Sequence, residues 1–222
     1  WQSADSSVNA TSSNLIKNMK LSISCMAHPS REKHFEYLRE KLGNVPFLID
    51  EESKGTAFNS ERSWRAYNKY CDYHVVIQDD AIICKDFISK AEDLIERVNT
   101  EKIKIPEVAN SKYIAFNFYY GLRKSFEEEA KIAIKRGYIV KKNVHWGVAI
   151  CLPTAIIDEM LDFFNKQTAP QDDERITRFL RSKNIPVYFP IPSLIDHRHE
   201  EKSLVGDLGT KRKAYKFIDN EN

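Results

Sequence analysis

Two pairs of adjacent aspartates are the residues in this sequence best suited to chemistry at a phosphate. Asp79 and Asp80 directly follow residues 75–77, a short β-branched run that predicts a buried strand. Two carboxylates at the end of such a strand are costly unless a positive charge meets them. A divalent cation would provide that charge, and metals held by carboxylate oxygens commonly bind phosphates. A strand that ends in a solvated acidic turn explains the same residues.

The second pair, Asp172 and Asp173, belongs to an acidic cluster that ends at Glu174. The cluster precedes a predicted helix, and acidic residues suit a helix N-terminus, so capping alone explains one or two of them. A third acidic residue is more than a cap needs. The cluster is therefore a candidate for a general base.

A polar, basic segment, residues 196–206, supplies the opposite charge. It contains two histidines, and the donors of Lys202 and Ser203 could wrap a phosphate. A metal-bound diphosphate needs the first acidic pair and this segment, and a general base needs the second pair. The three stretches together therefore fit one site.

Composition and missing motifs exclude several other classes of protein. The sequence has no P-loop motif, no G-x-G-x-x-G and no nucleophile elbow. Its net charge of +2 gives no overall field that demands nucleic acid. Four widely separated cysteines predict reduced core thiols and a cytoplasmic protein. The longest apolar runs are too short to cross a bilayer, so no membrane partner is expected.

The elements around these residues predict an α/β fold. A strand over residues 21–26, a helix from an N-cap at Ser30 to Leu42 and a strand over residues 45–49 make a βαβ start, which implies a parallel sheet. Residues 1–18 have no apolar period and are predicted to be a flexible or artificially added leader. Residues 19–222 are predicted to form one domain, because no Pro/Gly/Ser linker interrupts them. The other predicted elements are helices over residues 59–70, 88–98, 154–165 and up to 181, and strands over residues 113–120 and 187–189.

Two further stretches each allow two interpretations. Residues 123–142 are rich in Lys and Arg, which suits either a solvated helix and hairpin or a surface that follows a nucleic-acid backbone. Trp146 and Gly147 precede a buried strand, which suits either an aromatic wall with a close backbone approach or a plain core tryptophan.

The acidic stretch over residues 74–87 resembles the aspartate-containing metal motif of nucleotide-sugar glycosyltransferases with the GT-A fold, especially the small enzymes encoded by phages and some bacteria. Residues 192–198, 202–206 and 146–149 also resemble that group, and the resemblance spans about residues 20–218. It implies a single Rossmann-like α/β/α domain with a mostly parallel central sheet. It also implies transfer of a sugar, hexose or pentose, from a nucleotide diphosphate sugar, with UDP the expected nucleotide, to an acceptor hydroxyl.

The resemblance also implies roles for individual residues. Asp80 would be the main ligand of Mn²⁺ or Mg²⁺, and His197 a late metal or phosphate ligand. Asp173 or Asp172 would be the base that deprotonates the acceptor. The donor site would be formed by Ala27, His28, Arg31, Asp79, Trp146, Gly147, Lys202 and Ser203. The usual Asp-x-Asp is replaced here by Gln78-Asp79-Asp80, which leaves one carboxylate certain to face the metal.

The sequence leaves the acceptor open. Small phage enzymes of this kind would act in the host cytoplasm, either on hydroxymethylated pyrimidines in double-stranded DNA, which residues 123–142 would grip, or on a virion protein. A non-catalytic module that binds nucleotide sugars or nucleic acid is the competing class. A nucleotidyltransferase would use a similar acidic metal site, and a retaining mechanism stays open if no base is within reach.

Overall fold

A mixed sheet of seven strands forms the centre of the computed structural model, which describes residues 19–121, 127–166, 171–198 and 212–220. Five of the seven strands point the same way, while β6 and β7 run antiparallel to their neighbours. The strand order is β2-β1-β3-β7-β5-β8-β6. The strands are β1 (Leu21–Ala27), β2 (Phe47–Ile49), β3 (Tyr73–Gln78), β5 (Ala115–Asn117), β6 (Tyr138–Lys141), β7 (Ala149–Pro153) and β8 (Val187–Pro190).

Helices cover both faces of this sheet, because successive strand residues point to opposite sides. Val75 and Ile77 join one hydrophobic cluster and Val76 joins the other. Helices α1 and α3 pack in the first cluster, and α2, α5 and α6 pack in the second. The helices are α1 (Phe35–Leu42), α2 (Thr56–Arg65), α3 (Phe87–Glu101), α4 (Glu127–Arg136), α5 (Ile157–Phe164) and α6 (Asp172–Ser182).

These layers confirm the predicted α/β class with a mostly parallel central sheet. Strands buried on both faces must be apolar along their length, and β3 is buried from Tyr73 to Ile77. No helix within the described residues is long and apolar enough to cross a membrane. The predicted leader, residues 1–18, lies outside the described residues.

Several predicted boundaries were wrong. The N-cap after β1 is His28 rather than Ser30, since the His28 ring accepts from the Ser30 amide at 3.3 Å. A 3-10 segment over Pro29–His34 then precedes α1, with non-helical backbone at Arg31. Helix α2 occupies Thr56–Arg65 rather than residues 59–70, and the strand predicted over residues 113–120 shortens to β5.

A separate two-stranded ribbon lies outside the main sheet. It pairs β4 (Ala81–Ile83) with β9 (Ile195–His197), antiparallel, so that Ala81 is opposite His197. Beyond the ribbon pairing, the Arg198 amide donates to the Asp80 carbonyl at 2.9 Å. The ribbon therefore brings the late histidine segment to the end of β3.

Candidate functional site

The first acidic pair lies at the carboxyl end of β3, where ligands bind in open α/β sheets. Both side chains are buried, with 3% of Asp79 and 1% of Asp80 exposed. The Asp79 amide donates to the Met26 carbonyl at 3.1 Å, which fixes the pair against the end of the neighbouring strand β1. The pair is therefore held in a rigid frame.

One guanidinium pairs with both carboxylates. Arg31 Nη1 donates to Asp79 Oδ1 at 2.7 Å and to Asp80 Oδ2 at 2.5 Å, and Arg31 itself is 6% exposed. Charge-assisted hydrogen bonds of this length are strong, and little water screens them here. Arg31 reaches the pair from the 3-10 segment after β1. The carboxylates and the guanidinium of this ion pair therefore come from the ends of two neighbouring parallel strands, β3 and β1.

The two carboxylates are not equivalent. Burial raises the pKa of Asp79, and the charge of Arg31 and the His28 amide, 2.6 Å from Asp79 Oδ2, offset only part of that rise. Burial also acts to raise the pKa of Asp80, but the hydrogen bond and charge of His197, with Arg31 and Arg212, hold it below its ordinary value. Asp80 is therefore the carboxylate that stays ionised.

The contact between Asp80 and His197 requires a positive charge. His197 Nε2 lies 3.1 Å from Asp80 Oδ2, while His197 Nδ1 lies 3.1 Å from the Arg198 carbonyl oxygen. A carbonyl only accepts, so we assign the proton to Nδ1, and a neutral ring then presents a lone pair at Nε2. Two lone pairs in contact repel, so this contact needs either a proton on Nε2 or a cation between the two groups.

Asp80 also has an oxygen that fits a cation. Asp80 Oδ1 is buried and has no hydrogen-bond partner. The described residues contain no group of three or more His, Cys, Asp or Glu side chains placed to hold a metal. Mg²⁺ sites at phosphates commonly use only one or two carboxylates, with water and phosphate oxygens as the other ligands. Asp80 and His197 thus fit a divalent ion that shares its coordination with a bound phosphate.

A cavity of about 410 Å³ adjoins the first acidic pair. This volume falls within the range of small-molecule and cofactor sites. The end of β1 and the start of α2 form its walls, and Arg212 also lines it. Of the residues predicted for the donor site, Ala27, His28, Arg31 and Asp79 line the cavity, together with Asp80, the predicted metal ligand.

Two lining residues, Asp50 and Asn59, were missed in the sequence. Asp50 follows β2 and accepts the Lys54 and Gly55 amides at 2.9 and 2.8 Å, which folds the loop at the cavity rim. Asn59 Nδ2 donates to the Ala27 and Leu48 carbonyls, at 2.9 and 2.8 Å. Asp50 could have been predicted as a lining residue, because it follows a strand parallel to β1 and ligands bind at the carboxyl ends of such strands. No pattern in the sequence around Asn59 marks it as a lining residue.

The second acidic pair lies at the start of α6, near Gln78. A Cβ built on Gly147 would lie 2.8 Å from Gln78 Nε2 and 3.5 Å from Asp172 Oδ2, so both side chains meet at this glycine. Gln78 lines the cavity and directly precedes the first acidic pair. Burial, reinforced by the neighbouring charge of Asp173, raises the pKa of Asp172 to about 7. Asp172 is therefore the member of this pair poised to exchange a proton near neutral pH.

Trp146 has features of both predicted roles, an aromatic wall beside a site and a core tryptophan. Its half-buried indole packs against Tyr119, Tyr120 and Phe189, with ring centroids 5.8, 5.2 and 6.3 Å away. Gly121 permits this packing, because a Cβ there would lie 2.9 Å from the indole. Tyr119 also lies 6.2 Å from the His197 ring, so the aromatic cluster extends to the first acidic pair.

Some predicted residues lie elsewhere. Lys202, Ser203 and residues 123–126 of the basic stretch lie outside the described residues. Lys131, Arg136 and Lys141 of that stretch pair with glutamates at 2.6, 2.8 and 2.6 Å. Strand β6 is four strands from β3, roughly 19 Å at the usual strand spacing. These ion pairs and this distance do not favour the predicted contact of residues 123–142 with DNA bound at the cavity.

Comparisons with known proteins find matches among solved structures. No protein-family model matches the chain, and no curated protein matches it. The crystal structure of A197 from STIV matches with a TM-score of 0.45 and 13% identity, covering 81% of this chain and 85% of that one. A similarity at this level indicates neither a shared activity nor a shared ligand.

Proposed function

We propose that this chain is a glycosyltransferase of the GT-A type that transfers a sugar from a nucleotide diphosphate sugar to an acceptor hydroxyl. The observation that carries the proposal is the placement of two unlike acidic pairs around Gln78. The first pair faces cations beside a cavity, and the second contains a carboxylate with a pKa of about 7. A displacement at a sugar carbon needs both kinds of carboxylate.

The first pair would manage the negative charge of the leaving group. Breaking the sugar–phosphate bond leaves a nucleoside diphosphate, and charge develops on its oxygens. A divalent ion, Mn²⁺ or Mg²⁺, when bound, supplies charge stabilisation at those oxygens. Asp80 and His197 would hold that ion, since Asp80 has an unpartnered oxygen and the His197 ring faces it.

The cavity would bind the nucleotide portion of the donor. His28, Arg31 and Asp79 line it, and a diphosphate beside them would meet the guanidinium. Asp50 and Asn59 also line it, and these backbone-anchored polar groups could recognise the nucleoside. Lys202 and Ser203, as further diphosphate ligands, remain a prediction.

Asp172 would be the general base. It must accept the proton of the acceptor hydroxyl as the new bond forms, which requires the carboxylate to be ionised and close to the transferred sugar. Its meeting with Gln78 at Gly147 supports the second condition, and a pKa of about 7 allows the first at neutral pH and above. A base on the side opposite the leaving diphosphate gives inversion at the sugar carbon.

The acceptor is proposed only as a hydroxyl. Hydroxymethylated pyrimidine in DNA and a virion protein both offer one, and the ion pairs of the described basic residues do not favour DNA. Half-buried Trp146 near Asp172 supports an acceptor or sugar with a flat apolar face.

A donor panel tests the proposed reaction. The protein is incubated with UDP- and other nucleotide diphosphate sugars and Mn²⁺, the released nucleoside diphosphate is quantified, and candidate acceptors are weighed by mass spectrometry. Asp80→Asn should lower turnover by about 100-fold or more, because removing one charged group at a developing anion typically costs that much. Asp93→Asn, an exposed aspartate of α3, is the matched control and should leave turnover unchanged.

Other outcomes identify other functions. Release of pyrophosphate would indicate a nucleotidyltransferase. Saturable donor binding with no turnover against any acceptor would indicate a binding module. Full turnover by folded Asp80→Asn would exclude the first acidic pair from the reaction.

A further inference from the structure

We infer that Arg31 and a divalent cation compete for the Asp79–Asp80 pair, so that Arg31 is the counter-ion of the site when no metal is bound. This inference rests on the metal site of the proposed function, and it does not require that the reaction be sugar transfer. It predicts that metal binding is an exchange of cations rather than a simple addition.

The geometry places both cations at one carboxylate group. Asp80 Oδ2 accepts from Arg31 Nη1 at 2.5 Å and lies 3.1 Å from His197 Nε2, while Asp80 Oδ1 has no hydrogen-bond partner. A metal held by His197 and by either oxygen of Asp80 would share that carboxylate with Arg31. It would therefore meet the guanidinium at a distance where two positive charges repel strongly.

Burial makes the competition effective. Asp79, Asp80 and Arg31 are 3%, 1% and 6% exposed, so water and salt screen their charges weakly. For the same reason the two carboxylates cannot be left without a cation at low cost. The pair is thus occupied by Arg31 alone, or by a metal with Arg31 moved from Asp80.

A diphosphate would change the balance between the two cations. Arg31 lines the cavity as well as bonding to the acidic pair. A diphosphate in that cavity would offer the guanidinium new acceptor oxygens, and guanidinium binds such oxygens tightly. Metal alone is opposed by Arg31, whereas metal with diphosphate is not. The two ligands should therefore bind cooperatively, and removing Arg31 should remove part of that coupling.

Metal titration of three variants tests the inference without any activity measurement. Free Mn²⁺ is followed by its electron paramagnetic resonance signal, with and without inorganic pyrophosphate. Without pyrophosphate, Arg31→Gln should bind Mn²⁺ about tenfold more tightly than the unaltered protein, because the competing charge is gone. Arg97→Gln, at an exposed position of α3, is the control and should bind like the unaltered protein. With pyrophosphate, the advantage of Arg31→Gln should shrink or reverse.

A conservative variant keeps the test decisive if Arg31→Gln does not fold, as judged by circular dichroism. Arg31→Lys keeps the positive charge but loses the planar guanidinium that donates to both carboxylates. Because the ammonium should hold the pair less firmly, the Mn²⁺ affinity of Arg31→Lys should exceed that of the unaltered protein. Equal or weaker Mn²⁺ binding by both variants without pyrophosphate would overturn the inference. Absence of Mn²⁺ binding to every variant would also overturn the inference. In that case, release of nucleoside diphosphate in a donor panel without metal would still support sugar transfer.

Discussion

The two Asp–Asp pairs have the same sequence, but their environments shift the pKa of Asp80 and the pKa of Asp172 in opposite directions. Asp79 and Asp80 end a strand and meet Arg31, His197 and the His28 amide. Asp172 and Asp173 begin a helix, and Asp172 lies beside Asp173, Gln78 and Gly147. The pKa of Asp80 is held below its ordinary value, whereas that of Asp172 is raised to about 7. Environment, rather than residue type, separates a charge-holding carboxylate from a proton-accepting one.

The second pair also shows whether a helix N-terminus or burial beside a like charge has the larger effect on the pKa of a carboxyl group. A helix N-terminus favours an ionised carboxylate and so lowers its pKa, typically by an amount worth about 0.3–1 kcal/mol. Burial and the charge of Asp173 outweigh this at Asp172, since its pKa rises. The interpretation of the acidic cluster as more than a helix cap stays a prediction.

Replacing the aspartates of the second pair by asparagine, one at a time, should give the largest loss of turnover. Asp172→Asn should lower turnover by about 100- to 10,000-fold, the usual contribution of a general base, and leave donor affinity unchanged. Asp173→Asn is the comparison variant and should give a smaller loss, since it changes a charge beside Asp172 rather than the proposed base itself. Turnover numbers and donor affinity by calorimetry measure both. The reverse ranking would make Asp173 the base, and loss of donor affinity would make Asp172 a binding residue.

The pH dependence of the reaction should separate the pairs next. Below pH 7 Asp172 is mostly protonated and cannot accept a proton, so kcat/KM should rise about tenfold per pH unit and level off above about pH 7. Asp80 should add no second step in this range, because its pKa is lowered and it stays ionised. Rates measured from pH 5 to 9 test this. A rate independent of pH across this range would remove Asp172 from proton transfer.

The smallest expected effect concerns Gly147, where the two pairs are joined through Gln78. Gly147→Ala places a Cβ 2.8 Å from Gln78 Nε2 and should push that amide toward the cavity, lowering kcat/KM by about tenfold or less. The clash disappears in the Gln78→Ala background, so Gly147→Ala should cost less there than in the unaltered protein. An equal cost in both backgrounds would show that the glycine matters for another reason.

Much of the fold followed from local patterns, and much of the site did not. Short apolar runs located β1, β3 and β8, and the spacing of apolar residues located α3 and α5. The antiparallel direction of β7 was not predicted, since strand direction depends on the connection rather than on the strand's own residues. The first acidic pair was found because it ends a buried strand.

The contacts that define the site were beyond local patterns. The pairing of Arg31 with Asp79 and Asp80 depends on the non-helical turn after β1, which the expected cap at Ser30 did not anticipate. The raised pKa of Asp172 depends on its desolvation and on the charge of Asp173 beside it, and neither effect can be assessed from the sequence. The approach of Gln78 to Gly147 depends on packing between separate strands.

The ribbon of β4 and β9 has a consequence for the order in which the protein assembles during synthesis. The last strand of the main sheet is β8, so a nascent chain that has emerged through Pro190 already holds all seven sheet strands. His197 belongs to β9, which has not yet closed its long loop back to β4. Such late, distant contacts form slowly, since loop closure precedes their gain. We expect a folded sheet to exist on the ribosome before the candidate cation site does, because His197 lies beside Asp80 only after β9 pairs with β4.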